Sequence, residues 1–447
     1  MSSVVTSCPH DGQEEALDRL TNGYNYFKKE IHMNINRKFE LKDAQKKALE
    51  RILTGVNVCL LGMAGTGKSE VIKEACEILG ARGKIIKKIS YQGLAAQLIG
   101  GSTIHSTFRF PHDYWKIEPS AHNVEHLKNV DVIVIDEIGM VSEEMMNKIG
   151  DSLSFLDHLV QLVVVGDFYQ IEPFTDRKKR TYYYSDKKYA FQSYYWDAYK
   201  FEVCFLNEVV RQGDFGYIYS LYKLSRGDRY VLSYFVKNMC PYVIEDAIYI
   251  CTHNEDAKRI NKEKLEALSG EKSAPFMASY EGTIDLSSLP GEESLVVKKG
   301  LRVMATVNTS QYVNGKMGTV VGFENYENIK VKFDGSEGVT TVTWYTTKME
   351  RMDDNPQNES TDVRLMPLRP AYAISIHKSQ GQTFDKVNVI INEERGAWAH
   401  GQLYVALSRG RSLANTHIEG NIFNCRITPD TAVEEFYKRY GDPGISA

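Results

Sequence analysis

Residues 62–69 bring glycines, a lysine and a serine together at a spacing that suits phosphate binding. Glycines let the backbone curl so that successive N–H groups point at one anion, and a following helix adds its positive N-terminal end. The Lys68 ammonium would reach the β- and γ-phosphates, and the Ser69 hydroxyl would hold Mg²⁺. The pattern predicts a nucleoside triphosphate site built from Gly62, Met63, Ala64, Gly65, Thr66, Gly67, Lys68 and Ser69.

The segments around this loop predict a parallel sheet that positions it. An apolar run, 56–61, precedes the loop, and further apolar runs at 130–135 and 159–165 each stop at a polar cluster. Ligands of open α/β sheets bind at the carboxyl ends of parallel strands, so we expect these clusters to share one site. Asp136 is placed to hold the metal shell, Glu137 to accept a proton from the attacking water, and Gln170 to orient that water or sense the γ-phosphate.

A helix predicted over 41–49 leads into the strand before the loop and carries Gln45. Its amide is suited to an adenine edge. An exposed helix position explains the same spacing equally well.

Composition excludes several classes of protein. The chain has 447 residues, a formal net charge of −4 and a pI near 6.3, so any nucleic-acid contact must come from a local groove rather than bulk charge. Seven cysteines without a C-x-x-C pair suggest neither a disulfide framework nor a zinc site. With no secretory signal and no run of membrane-spanning length, we expect an intracellular protein, in the cytoplasm or nucleoid, or in a host cytoplasm if phage-encoded.

A second α/β unit begins near residue 247 and resumes at 371, with short alternating strands between 300 and 345. This texture predicts a small β-barrel inserted into the second unit. The resumed unit carries a polar cluster at 377–383 and a helix over 402–411. The expected fold class is therefore α/β, with two parallel-sheet units and an inserted barrel.

The chain resembles the superfamily 1B helicases, the group that contains RecD, the phage helicase Dda and the petite-integration-frequency helicases. Seven elements follow the family's order between residues 41 and 411. They lie at 62–69, 103–106, 136–137, 166–170, 210–212, 377–381 and 404–409.

The resemblance implies two RecA-like domains with ATP and Mg²⁺ between them. It makes Gln45 an adenine contact, places Gly381 at the nucleotide, and gives Lys68, Ser69, Asp136 and Glu137 the roles already stated. Gln170, Arg211 and Arg409 become γ-phosphate contacts, the two arginines reaching ATP from opposite sides of the cleft.

The resemblance also places single-stranded DNA across both domains. The implied DNA contacts are Thr103, His105, Phe108, Thr252, Asn254, His377 and Lys378. The family carries its strand-separating pin where this chain has residues 109–123, and Phe110 and Trp115 suit a wedge there or, alternatively, a small apolar knot. Tyr91 stands where the family usually has proline and is a candidate for stacking on a base.

The implied domain bounds are an N-terminal accessory helix or arm over 1–38, a first RecA-like domain over 39–212, a second over 213–299 and 365–447, and an SH3-like barrel over 300–364. The implied function is an ATP-dependent DNA helicase moving 5′ to 3′ and separating duplex in replication, repair or recombination. A single-stranded-DNA translocase that displaces proteins and an RNA-directed helicase stay open as alternatives. Expected partners are single-stranded and forked DNA and single-strand-binding or replication proteins, with the chain acting as a monomer away from membranes.

Overall fold

A computed structural model describes residues 41–111, 118–173, 186–208, 215–284, 286, 289–350 and 360–444, and those from 43 onward form one compact unit. The predicted N-terminal arm, Trp115 and Arg211 lie outside these residues. In the described part of the chain, no helix has both the length and the apolar character needed to cross a bilayer.

The first half of the unit is built on a six-stranded parallel sheet in the order β3-β2-β4-β5-β1-β6. The apolar runs of the sequence become its central strands, because a parallel sheet covered on both faces needs strands that are apolar on both faces. The strands are β1 Val58–Gly62, β2 Ile86–Ser90, β3 Ser102–Thr103, β4 Val132–Asp136, β5 Gln161–Gly166 and β6 Glu202–Leu206.

Seven α-helices accompany this sheet in the described residues. The sheet-facing positions of the longer ones are apolar and buried, as in α1, where Ala48, Leu49 and Ile52 face inward. The helices are α1 Asp43–Leu53, α2 Lys68–Ala81, α3 Gly93–Leu98, α4 Ile104–Phe108, α5 Ala121–Val124, α6 Glu143–Leu153 and α7 Tyr194–Tyr199.

The second half contains smaller elements. Its helices are α8 Phe215–Ser225, α9 Val231–Asn238, α10 Asn254–Ala267, α11 Ile376–Ser379, α12 Gln402–Leu407 and α13 Thr431–Arg439. Its strands are β7 Ile248–Cys251, β8 Phe276–Met277, β9 Ser294–Leu295, β10 Arg302–Ala305, β11 Met317–Glu324, β12 Asn328–Phe333, β13 Thr340–Thr343, β14 Tyr345–Glu350, β15 Ser360–Leu365, β16 Leu368–Pro370, β17 Ala373–Ser375, β18 Val387–Ile390 and β19 Thr416–Glu419.

A four-stranded parallel sheet, β17-β7-β18-β19, forms the second α/β layer, which confirms the predicted fold class. The inserted region forms a five-stranded antiparallel sheet in the order β13-β12-β11-β10-β16. The last strand of this sheet, β16, lies beyond residue 364, the predicted end of the insertion. It pairs with β10 at the edge of the sheet, where Pro370 is accommodated. The SH3-like form of this insertion and the domain bounds stay predictions.

An aromatic cluster, which comprises Phe168, Tyr189, Phe191, Trp196 and Phe436, joins the first half to α13. The Phe436 ring centroid lies 4.4 Å from that of Phe191 and 5.3 Å from that of Phe168. All but Phe191 are almost fully buried. The helix that follows the second sheet in sequence is therefore packed on the first half.

Candidate active site

The phosphate loop, residues 62–69, connects β1 to α2 through two left-handed glycines. Gly65 has φ 88° and Gly67 has φ 82°, a region that residues with a side chain rarely adopt. Gly67 is the N-cap of α2, so the loop ends where the unpaired N–H groups of the helix begin. This arrangement suits an anion at the start of α2.

Two side chains donate hydrogen bonds to backbone carbonyl oxygens of the phosphate loop. The Lys68 Nζ donates hydrogen bonds to the carbonyl oxygens of Gly62 at 2.6 Å and Met63 at 2.9 Å. The Gln45 Nε2 donates to the Thr66 carbonyl at 3.0 Å, and the Gln45 side chain is buried. Gln45 thus fastens the loop in this structure, and its adenine contact stays a prediction.

The acidic pair lies at the end of β4. The Glu137 N–H donates to Asp136 Oδ1 at 2.9 Å, and Glu137 has a left-handed φ of 54°, a strain of about 1–3 kcal/mol for a residue with a side chain. Burial, and then the charge of Asp136, raises the pKa of Glu137 to about 7, whereas the charges of Lys68 and Arg409 oppose the rise. The four ionisable groups therefore share one site.

The second half supplies the opposite wall. A Cβ atom at Gly381 would lie 3.6 Å from Glu137 Oε1, so this backbone runs directly beside the acidic pair. Gln380 Nε2 donates to Gln170 Oε1 at 3.2 Å, which joins the two halves next to the site. Arg409 is buried, and its guanidinium donates to the carbonyl oxygens of Val405 and Gln382, each at 2.9 Å.

Several predicted DNA contacts lie near Tyr91. The Thr103 hydroxyl caps α4 by accepting from the Ser106 N–H at 3.1 Å. The His105 ring lies 5.9 Å from that of Tyr91, and the adjacent Gln92 donates to the His377 carbonyl at 3.1 Å. Residues from both halves thus meet near Tyr91.

Lys378 follows His377 in α11 and is half-buried. Burial, and then the charge of Arg369, lowers the pKa of Lys378 to about 8. The ammonium is therefore mostly charged at neutral pH. Asn254 is exposed at the start of α10.

Thr252, a further predicted DNA contact, lies in the loop that follows β7. It is buried, and its hydroxyl oxygen accepts from the Asn392 N–H at 3.0 Å and lies 3.0 Å from His253 Nδ1. These bonds order the loop that follows β7. In this structure the Thr252 hydroxyl is engaged within the protein, and its contact with DNA stays a prediction.

The aromatic residues of α4 and its extension are also buried. Phe108 has no exposed surface and Phe110 is 6% exposed, with their rings stacked at 5.4 Å. In this structure neither ring is exposed, which fits the small apolar knot left open for Phe110. The DNA contact of Phe108 and the wedge role of Phe110 stay predictions.

Phe110→Ala is expected to lower the free energy of unfolding by about 3–5 kcal/mol, because it leaves a cavity beside Phe108. Urea denaturation measures this loss. Phe155→Ala is the matched control, since Phe155 is 48% exposed and its truncation should be nearly neutral. Equal stability of the Phe110 variant and wild type would contradict the packing of these two rings.

Trp115→Ala alone tests the wedge role. If Trp115 is part of the wedge, the substitution should lower the rate of unwinding more than the rate of ATP hydrolysis.

Three buried side chains near the site had no role in the sequence predictions. Tyr404 and Tyr437 donate to the Asp167 carboxylate, and His400 contacts the Phe168 carbonyl. Asp167 and Tyr404 lie in segments that the family resemblance singled out. Tyr437 carried no signal, because it reaches the site only through the packing of α13.

Comparison with known proteins agrees with this geometry. A family model described as PIF1-like helicase matches residues 40–217. The ATP-dependent DNA helicase Pif1 of Campylobacter jejuni is 30% identical over 436 residues, which cover 88% of this chain and 96% of that protein. The Danio rerio ATP-dependent DNA helicase PIF1 is also 30% identical, over 90% of this chain and 64% of its own length.

Solved structures agree over most of the chain. A crystal structure of Bacteroides Pif1 bound to ssDNA has a TM-score of 0.78 and 28% identity, covering 91% of this chain and 98% of that one. A structure of Pif1 helicase from Bacteroides in complex with ADP-AlF3 and ssDNA has a TM-score of 0.77, 28% identity and coverages of 90% and 99%. The extent of the Campylobacter match and the order of the site elements lead to one conclusion: the chain belongs to the PIF1-like helicase family.

Proposed function

We propose that this chain is an ATP-dependent DNA helicase that moves 5′ to 3′ along single-stranded DNA and separates duplex. The observation that carries the proposal is the convergence of both halves on one charged site. Lys68, Asp136 and Glu137 come from the first half and Arg409 from the second, and the other three charges all act on Glu137. The relatives named above as ATP-dependent DNA helicases support the same activity.

The phosphate loop binds the triphosphate, with the Lys68 ammonium at the β- and γ-phosphates. Glu137 accepts the proton of the attacking water, and Gln170 orients that water. Arg409 stabilises the charge that develops on the γ-phosphate when the two halves close around ATP. Arg211, outside the described residues, is proposed for the same task from the other side of the cleft.

Ser69 and Asp136 fit a Mg²⁺ ion that accompanies the triphosphate. Magnesium prefers oxygen ligands, and burial raises the pKa of Asp136, so a nearby cation favours the charged carboxylate. The exposed Ser69 hydroxyl and the Asp136 carboxylate would hold the ion. Bound Mg²⁺ would neutralise charge on the β- and γ-phosphates.

Single-stranded DNA lies along the face marked by Thr103, His105, Tyr91, His377 and Lys378. Aromatic and imidazole rings stack on bases while Lys378 contacts phosphate, a sequence-tolerant mode of binding. Asn254 is proposed as a further contact. Because both halves contribute to this face, closure around ATP shifts one set of contacts relative to the other along the strand.

Strand displacement on duplexes with a single 5′ or 3′ DNA tail tests the proposal. With ATP and Mg²⁺, unwinding is expected from the 5′ tail, and a matched 5′ RNA tail should give much less. Unwinding from the 3′ tail would overturn the polarity, and preference for the RNA tail would favour an RNA-directed helicase. ATP hydrolysis on single strands without unwinding would leave a protein-displacing translocase. An intracellular location, recruitment by single-strand-binding or replication proteins, and action as a monomer stay predictions.

ATP hydrolysis is expected to depend on pH through Glu137. A general base must be deprotonated, and the pKa of Glu137 is raised to about 7 by burial and by Asp136. The kcat/KM for ATP should therefore rise about tenfold per pH unit below pH 7 and level off above it, because this ratio reports ionisations of the free enzyme. Steady-state hydrolysis with single-stranded DNA between pH 6 and 9 measures the profile.

Glu137→Gln is the matched control for this profile. It should lower kcat by about 10²–10⁴ and abolish the rise near pH 7. The folded carboxyl holds its proton more tightly than the unfolded one, so the free energy of unfolding falls as pH rises from 4.5 to about 7. The glutamine variant should lack that fall in the free energy of unfolding. If kcat/KM of the variant still rose toward pH 7 as in wild type, Glu137 would be excluded as the general base.

A further inference from the structure

The turn after β5, residues 167–170, is held by two tyrosines from distant parts of the chain. Asp167 is 3% exposed, and its carboxylate accepts from the Tyr404 hydroxyl at 2.9 Å and from the Tyr437 hydroxyl at 3.3 Å. Tyr404 lies in α12 and Tyr437 in α13. One carboxylate thus connects three elements beside the ATP site.

The same groups order every backbone amide from 168 to 170. The Phe168 N–H donates to the Tyr437 hydroxyl oxygen at 3.3 Å. The Tyr169 N–H donates to Asp167 Oδ1 at 3.0 Å, and the Gln170 N–H donates to the Asp167 carbonyl at 3.3 Å. The turn therefore depends on the position of Asp167.

The phenols are dependable donors. Burial, followed by the charge of Asp167, raises the pKa of Tyr404 and Tyr437 well above the ordinary value, so both hydroxyls stay protonated. Next to them, His400 Nδ1 accepts from the Asp430 N–H at 3.2 Å, which leaves Nε2 to donate to the Phe168 carbonyl at 3.0 Å. The backbone of the turn is thus held at its N–H and C=O groups alike.

The turn ends at Gln170, whose side chain is buried and bonded to Gln380 beside the acidic pair. A small shift of a reacting or orienting group lowers turnover steeply. Contacts that set this turn therefore bear on hydrolysis without touching ATP themselves.

We propose that Tyr404 and Tyr437 are positioning residues whose hydroxyls hold Asp167 and so set the turn that presents Gln170 to the ATP site. The effect on turnover rests on the proposed function, whereas the effect on the turn does not.

Hydrogen exchange of the amides of residues 168–170 tests the structural half. In the double variant Tyr404→Phe/Tyr437→Phe, these amides should exchange about tenfold faster than in wild type. The reason is that the tyrosine hydroxyls no longer hold Asp167, to which the amides bond. Tyr440→Phe is the matched control: its ring packs 4.8 Å from that of Phe436, at the same end of α13. Unchanged exchange in the double variant would overturn the proposal whether or not the protein hydrolyses ATP.

DNA-stimulated turnover tests the functional half. Each single variant should lower kcat by about three- to tenfold with less than a twofold change in KM for ATP, and the two losses should be non-additive because they act through one carboxylate. Wild-type kcat in both single variants would overturn the proposal. Faster amide exchange together with an inactive wild type would instead reject the proposed function and leave the turn assignment standing.

A rescue variant separates positioning from simple compensation of a buried charge. Asp167→Asn in the double-phenylalanine background removes the uncompensated carboxylate and keeps an oxygen for the Tyr169 N–H. Its melting temperature should return toward that of wild type, while kcat stays low and exchange at 168–170 stays fast. Recovery of kcat to the wild-type value would show that the hydroxyls only compensate charge, and would overturn the proposal.

Discussion

Arg409→Ala is expected to lower DNA-stimulated kcat by about 10³–10⁵. An arginine that contacts the transferred phosphoryl group stabilises charge that exists only in the transition state. Arg409 suits this role, because it is buried and its guanidinium is held by the Val405 and Gln382 carbonyls. Steady-state hydrolysis of ATP with saturating single-stranded DNA measures the loss.

Arg411→Ala is the matched control for Arg409. Arg411 stands two residues further on, is 63% exposed and lies 3.0 Å from Asp385, so its loss should change kcat by less than about twofold. Arg409→Lys keeps the charge but not the planar fork, and should recover only part of the activity. If Arg409→Ala still binds an ATP analogue, the site is intact. A loss of kcat of less than tenfold in Arg409→Ala would exclude Arg409 as the γ-phosphate contact.

Lys68→Ala is expected to abolish DNA-stimulated hydrolysis, with a loss in kcat of at least about 10²–10³. The substitution removes the cation proposed for the β- and γ-phosphates. It also removes the two hydrogen bonds that tie the ammonium to the Gly62 and Met63 carbonyls. Unwinding should disappear with hydrolysis, because strand separation depends on the same ATP cycle.

The control for Lys68 lies on the same helix. Lys73 is exposed on α2, so Lys73→Ala should retain wild-type turnover and serves as the charge-matched comparison. Circular dichroism melting would show that both variants are folded. Turnover retained in a folded Lys68→Ala protein would reject the phosphate-loop assignment.

Much of the sheet architecture was predictable because its signals are local. The central strands are continuous apolar runs that stop at polar residues, as β4 stops at Asp136 and β5 before Asp167. The phosphate loop has a spacing that few other structures need. The second parallel sheet was recognisable for the same reason, although its strands are only three or four residues long.

Burial was harder to predict than element type. The sequence pattern around Phe108 and Phe110 is the same whether their rings face a base or the core. The periodicity of so short a segment does not assign a side chain to one face. Thr252 shows the same ambiguity, because a threonine after a strand suits both a nucleic-acid contact and a loop bond. Tyr437 lies about 270 residues from Asp167, and only tertiary packing brings them together.

The packing of α13 on the aromatic cluster separates the order of the chain from the bodies that move. If the sheets shift relative to one another during the ATP cycle, we expect α13 to move with the first sheet, although it follows the last strand of the second. A hinge on this side is then expected between β19 and α13, in residues 420–430. Of the two tyrosines bonded to Asp167, Tyr437 would then move together with Asp167 as part of the first sheet's body. The Tyr404–Asp167 hydrogen bond would connect that body to the second sheet's.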